Sequence, residues 1–185
     1  MVAYFTASVV GKKYHLANYR KIIEIFRKKG FEVIADHIIN VEEKDIQLQS
    51  KEKRLAFHNQ LEKWIGGCDI MVVESTFPSI SVGYEISLAL HRGKPVLVLY
   101  SEGEPPSLFE YHTNDRIICE KYTAMTLEAI IDDFVNYAHG GSDHRFTFFI
   151  SAGIASYLED VARKHKMPKS VYLRHLIEED MRRSK

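Results

Sequence analysis

Two short, unbroken apolar runs, Asp69–Val73 (DIMVV) and Pro95–Tyr100 (PVLVLY), constrain the fold more than any other feature. Runs of this length without polar alternation suit strands covered on both faces, as in a parallel sheet flanked by helices. The surrounding pattern agrees. Val2–Ser8 reads as a first strand and Phe31–Ile39 as a second, with a fifth at Arg116–Cys119. Between them apolar residues recur at helical spacing over Tyr14–Lys29, Lys51–Ile65, Val82–His91 and Thr126–Ala138. Gly30 and Gly66-Gly67 close two of these helices. Val41–Ser50 is polar and reads as a loop or loose helical turn. Alternating strands and helices imply βαβ crossovers. The expected architecture is α/β, a flavodoxin-like five-stranded parallel sheet in the order 2-1-3-4-5. Ligands in such sheets bind where the order reverses, outside the carboxyl ends of strands 1 and 3. Thr6–Val10 and Glu74–Gly83 are therefore the expected site.

The remaining chain is organised differently. His139–His144 reads as a linker, so residues 1–138 form one domain and 145–185 a second, smaller module. Arg145–Ser151 alternates, with Phe146, Phe148 and Ile150 on one face and Arg145, Thr147 and Phe149 on the other. Helical patterns follow at Ala152–Lys166 and from Pro168 to Arg183. Residues 1–141 carry 16 basic and 19 acidic side chains, residues 142–185 carry 9 and 6, which suggests a different partner for the C-terminal piece. Cys68 and Cys119 are the chain's cysteines, each beside a strand-like run, and fit a reducing compartment. The N-terminus lacks the basic region of a signal peptide, and no segment reaches about 18 apolar residues. A cytoplasmic protein without a membrane partner is expected.

Chemistry concentrates in Glu74–Glu85 (ESTFPSISVGYE). A buried strand delivers a hydroxyl-rich loop, which turns at Pro78 and enters a helix near Gly83. Hydroxyls and backbone N–H groups at a helix N-terminus form a seat for a phosphate. Glu85 in the first helical turn then faces the cleft. The same residues also fit a plain helix start, with Ser79 or Ser81 as cap and Glu85 complementing the dipole. The nine His and two Cys never fall into metal-ligand spacing, so no metal is expected. The sequence has neither a Walker A lysine motif nor G-x-G-x-x-G, and no cofactor is expected.

The stretch Cys68–Glu74, then Pro78-Ser79, then Val82-Gly83-Tyr84-Glu85, together with Tyr4–Ser8, resembles the signature of the nucleoside 2-deoxyribosyltransferase and 2′-deoxynucleoside 5′-phosphate N-hydrolase family, over residues 2–138. The resemblance implies that Glu85 is the nucleophile at C1′ of the sugar, forming a glycosyl-enzyme ester, and that Tyr4 orients it. It implies that Ser8 and Ser79 contact a 5′-phosphate and that His37 lies near the nucleotide, a surface His at a strand end being the alternative. Ser81 and Gly83 are binding candidates from the helix start itself. Three departures stand out. The nucleotide-hydrolysing branch carries an Asp, which assists departure of the base, where this chain has Leu61. It carries an Arg where this chain has Val10, unless Lys12 or Lys13 substitutes. Its later phosphate-contacting Ser has Ser107 as nearest counterpart.

The C-terminal pattern resembles a ribbon-helix-helix module. In that family two chains pair their strands and lay the ribbon in the major groove. By resemblance, Arg145, Thr147 and Lys169 would contact DNA, although Phe149 fits poorly and a dimerisation module without DNA is the alternative. The expected partners are a nucleoside or nucleotide, a second copy of the chain in a homodimer or higher oligomer, and DNA through residues 145–185. The leading expectation is an enzyme that cleaves or transfers an N-glycosidic bond. The runner-up is a nucleotide-sensing, DNA-binding regulator with a weakened pocket, and a third reading is glycosidase action on a dinucleotide such as NAD.

Overall fold

The computed structural model describes residues 1–47, 50–105, 114–139, 150–165, 167 and 169–184. Five strands form one parallel sheet: β1 (Val2–Ala7), β2 (Glu32–Ile34), β3 (Ile70–Glu74), β4 (Val96–Tyr100) and β5 (Ile117–Lys121). Their order is β2-β1-β3-β4-β5, the expected flavodoxin-like arrangement. The helices among the described residues are α1 (Lys12–Lys28), α2 (Asp36–Ile39), α3 (Glu43–Gln47), α4 (Lys51–Gly67), α5 (Ile80–His91), α6 (Leu127–Ala138), α7 (Ala152–His165) and α8 (Lys169–Arg183). The chain divides into two compact units, Met1–Lys121 and Tyr122–Lys185.

The first unit contains the sheet. Every residue of β3 and β4 is buried, as their unbroken apolar sequence demands. On β1 successive side chains face opposite sides of the sheet. Tyr4 joins Met71, Val73, Val82, Ile86, Leu61 and Ile65 in one apolar cluster. Phe5 faces the other way and meets the Tyr19 ring at 5.9 Å. Each large apolar side chain buried in this way contributes about 1.5–3 kcal/mol. Helix α1 buries Tyr19, Ile22, Ile23 and Phe26, one stripe at helical spacing. At its end Gly30 takes φ +85°, which lets the chain turn at once into β2.

Of the boundaries that differ from the sequence reading, two matter for the site. The second strand was expected to run to Ile39, but its pairing ends with Tyr4 opposite Ile34. The chain then turns into α2, and the Lys12 ammonium collects the carbonyls of Ile38, Ile39 and Val41 at the helix end. His37 therefore lies on a helical turn rather than at a strand end. Helix α5 begins at Ile80, not near Gly83, because Ser79 caps it by accepting from the Val82 N–H at 3.5 Å. Glu85 consequently sits in the second turn.

In the second unit, Leu127, Ile130, Ile131 and Phe134 of α6 are buried. Asp133 of α6 pairs with Arg174 of α8 at 3.2 Å. Leu158 is buried, while Ile154, Tyr157, Leu176, Ile177 and Met181 of α7 and α8 are exposed. The expected strand residues Arg145–Phe149 and most of the expected linker lie outside the described residues. No helix among the described residues is long and apolar enough to cross a membrane.

Candidate active site

The sheet order reverses between β1 and β3, whose carboxyl ends lie side by side with Ala7 opposite Glu74. Helix α5 leaves the end of β3 and brings Glu85 back over β1. The Tyr4 hydroxyl, on β1, donates to Glu85 Oε2 at 2.9 Å. Both side chains are buried, Tyr4 completely and Glu85 to 6% exposure. Burial pushes the Glu85 carboxyl above the ordinary carboxylate range, and hydrogen bonding from Thr6 and Tyr4 acts the other way. The Thr6 hydroxyl is itself buried and short of full hydrogen-bond geometry with any protein group. Burial, then the Glu85 charge, raises the Tyr4 phenol far above its usual value, so it remains a donor.

His37 stacks on Tyr4, with ring centroids 4.9 Å apart and planes 14° apart. On another side it stacks on Trp64 at 5.1 Å, with Phe57 at 6.3 Å. Burial lowers its imidazole to about 4, with Asp36 acting the other way, so the ring is neutral at physiological pH. Neither ring nitrogen has a protein partner. A buried polar atom without a partner costs stability, so the two nitrogens are a point of local cost in the site.

The loops at the other end of the cleft are locked together. Ser8 Oγ accepts from the Gly11 N–H at 3.1 Å. Gly11 lies so close to the Phe77 side chain that a Cβ would meet it at 2.5 Å. Phe77 in turn stacks on Tyr14 at 6.1 Å, and Lys13 Nζ lies 4.9 Å over the Tyr14 ring. Ser8 is buried and Ser79 half-buried, whereas Ser81 is exposed on α5. The Gly83 N–H already donates to the Ser79 carbonyl at 3.2 Å, so it is not the free donor the sequence suggested. Lys12 is committed to the three carbonyls of the α2 end and does not stand in for the family arginine.

The sequence placed Glu74 in the expected site without its partners, and two further features were missed. Glu74, fully buried, accepts from the Thr76 hydroxyl, which also meets Ser101 Oγ at 3.1 Å. Its place at the carboxyl end of a switch-point strand was the available signal. His58, which reads from sequence as an ordinary helix-face residue, meets the Tyr84 hydroxyl through Nε2 at 3.0 Å. The i−3 spacing of His58 from Leu61 was the clue there. The aromatic box around His37 depended on α2, which the sequence reading had drawn as strand. Leu61 itself is buried in the apolar cluster beneath Tyr4. Ser107, Arg145 and Thr147 lie outside the described residues, and Lys169 Nζ is paired with Glu159 at 3.2 Å. Among the described residues no cluster of His, Cys, Asp and Glu could hold a metal.

Comparison with known proteins follows the same outline. The 5-hydroxymethyl-dUMP N-hydrolase of Rattus norvegicus is 32% identical over 97 residues, which are 52% of this chain and 59% of that protein. The enzyme of that name from Mus musculus is 31% identical over 102 residues, 52% of this chain and 56% of its own length. The chain thus spans little more than half the length of these relatives. Among solved structures, a CMP N-glycosidase from Clostridium botulinum matches with a TM-score of 0.51 at 18% identity, over 74% of this chain and 99% of that one, which supports the fold. The profile of the nucleoside 2-deoxyribosyltransferase family matches residues 3–136, and the chain belongs to that family.

Proposed function

We propose that the protein cleaves or transfers the N-glycosidic bond of a 2′-deoxynucleoside 5′-monophosphate, with Glu85 as nucleophile. The Tyr4–Glu85 hydrogen bond, buried at the sheet's switch point, carries this reading. One carboxylate oxygen is held by Tyr4, and the other attacks C1′. The C1′–N bond breaks, the base leaves with its bonding electrons and gains a proton, and an ester joins C1′ to Glu85. Water, or a second base, then displaces Glu85 from C1′, and two inversions give net retention. The stacked His37–Trp64–Phe57 box suits the flat faces of a base, and the Ser8 and Ser79 hydroxyls suit a 5′-phosphate. Replacing Glu85 by Ala tests the assignment: base release from a panel of deoxynucleotides should disappear while the circular dichroism spectrum is unchanged. Undiminished release by that variant overturns it.

A second reading is a nucleotide sensor with little turnover. The apolar burial of Leu61, at the place of the family's assisting Asp, favours it. The C-terminal helices bear on both readings. Exposed Ile154, Tyr157, Leu176, Ile177 and Met181 fit a pairing face for a second copy of the chain. The Lys169–Glu159 pair leaves little positive charge at that helix start for a DNA phosphate. Homodimerisation is therefore the better supported role for residues 145–185, with DNA contact through Arg145 and Thr147 secondary.

A further inference from the structure

We propose that His58 and Tyr84 form a proton relay that protonates the departing base, replacing the carboxylate that the chain lacks at Leu61. This deepens the N-glycosidase reading and rests on it. Expelling a nucleobase as an anion is difficult, and a positioned acid contributes about 10²–10⁴ in rate. Leu61 cannot supply a proton. The question is which titratable side chain near it can.

Helix α4 connects parallel strands β2 and β3, so it runs against them, with its N-terminal end at the carboxyl edge of the sheet. His58 lies three residues before Leu61, on the same face and one turn nearer that edge. Leu61 packs in the cluster that includes Tyr4, Val82 and Ile86, so this face of α4 looks toward β1 and α5. The neighbour of His58 in sequence, Phe57, belongs to the aromatic box around His37. Across from it, Tyr84 precedes the nucleophile in the chain and meets His58 Nε2 at 3.0 Å, with ring centroids 5.8 Å apart. Both side chains are exposed, so a ligand and solvent protons can reach them.

The other candidates serve less well. His37 is buried and neutral, with no charge to give up. Glu74 follows Val73 on β3 and so points to the opposite face of the sheet from the Tyr4 cluster. Glu62 is engaged by Arg92 at 3.5 Å. The His58–Tyr84 pair remains, and its chemistry closes. As C1′–N breaks, the Tyr84 hydroxyl gives its proton to the base. The imidazolium of His58 passes its Nε2 proton to the phenol oxygen, leaving neutral Tyr84 and neutral imidazole. When water attacks the ester, the proton it releases restores the imidazolium.

The test compares two leaving groups with the full-length protein. One substrate set is the four common 2′-deoxynucleoside 5′-monophosphates, the other is 4-nitrophenyl 2-deoxyriboside 5-phosphate, whose phenolate departs without a proton. His58→Gln and Tyr84→Phe should each slow turnover of the nucleotides by about 10²-fold or more, and of the nitrophenyl compound by less than about tenfold. Equal losses on both substrates would show that the pair only shapes the pocket, and no loss on the nucleotides would show that it does nothing. Either result overturns the relay. A wild type that releases neither base nor nitrophenolate overturns the glycosidase reading itself. An active wild type with indifferent variants overturns the relay alone.

Discussion

Two carboxylates are buried within eleven residues of each other in sequence, Glu74 and Glu85, and the protein treats them differently. Glu74 ends β3 and is held by Thr76, two residues on, in a network that Ser101 joins from the end of β4. Asn18 of α1 touches the same serine at 3.5 Å. Glu85 is held by Tyr4, 81 residues away on another element. The hydroxyl network at Glu74 engages one carboxylate oxygen and ties the strand end to the neighbouring loop. At Glu85 a long-range bond from a rigid central strand fixes the position of one oxygen, and Thr6 of the same strand also acts on the carboxylate. Burial alone therefore does not separate the two carboxylates; the origin of the partner does, and it supports the proposal of Glu85 as nucleophile.

The largest expected effect separates the two residues directly. Glu85→Gln should lower base release by more than about 10⁴-fold, the scale of losing a nucleophile. Glu74→Gln, which keeps an oxygen for Thr76, should stay within about tenfold in rate and show its cost in thermal stability. Steady-state base release and melting curves on both variants check this, and a reversed ranking would break the comparison. Next comes Tyr4→Phe. It removes the hydroxyl that orients Glu85 and should cost about 10²-fold in kcat, with KM changing little.

The pH response sharpens the contrast further. Because burial raises the Glu85 carboxyl, the ionised form that the proposed attack requires is lost on the acid side at a higher pH than for an ordinary carboxylate. The acid limb of kcat/KM should lie above 4.5, the ordinary value for this side chain. The native state also holds this proton more tightly than the unfolded chain. Its contribution to stability is thus present below the unfolded value and is lost as pH rises through the folded one. The stability difference between wild type and Glu85→Gln, measured by denaturation from pH 4 upward, should shift in favour of the variant as pH rises. His37 has the opposite sign. Its lowered imidazole favours the native state above 6.5, and that contribution is lost as pH falls toward about 4. The smallest effect is at the helix start: Ser79→Ala removes the α5 cap and should cost about 1 kcal/mol of stability.

The sheet was legible because β3 and β4 are written as unbroken apolar runs and α1 as a clean stripe. The contact between Tyr4 and Glu85 was legible through the motif and the switch-point rule together. What was not legible depended on side chains reaching across the fold. Lys12 fixes the end of α2 from α1, so His37 changed from a strand residue to the centre of an aromatic box. The cap at Ser79 moved the start of α5 ahead of Gly83, and His58 gained meaning only when α4 and α5 brought it to Tyr84. The C-terminal helices were legible from their periodicity, whereas the exposure of their apolar residues was not.

The central claim is that Glu85 becomes esterified, and it can be tested by trapping the ester. A 2′-fluorinated deoxynucleotide with a good leaving group slows both steps by destabilising the oxocarbenium-like transition state, and lets the intermediate accumulate. Glu74 and Glu85 both lie between Lys63 and Arg92, in one tryptic peptide, so fragmentation by mass spectrometry must place the added mass. The account predicts one fluorodeoxyribosyl phosphate on Glu85 and none on Glu74. An adduct on Glu74, or base release that proceeds with neither residue labelled, would contradict it.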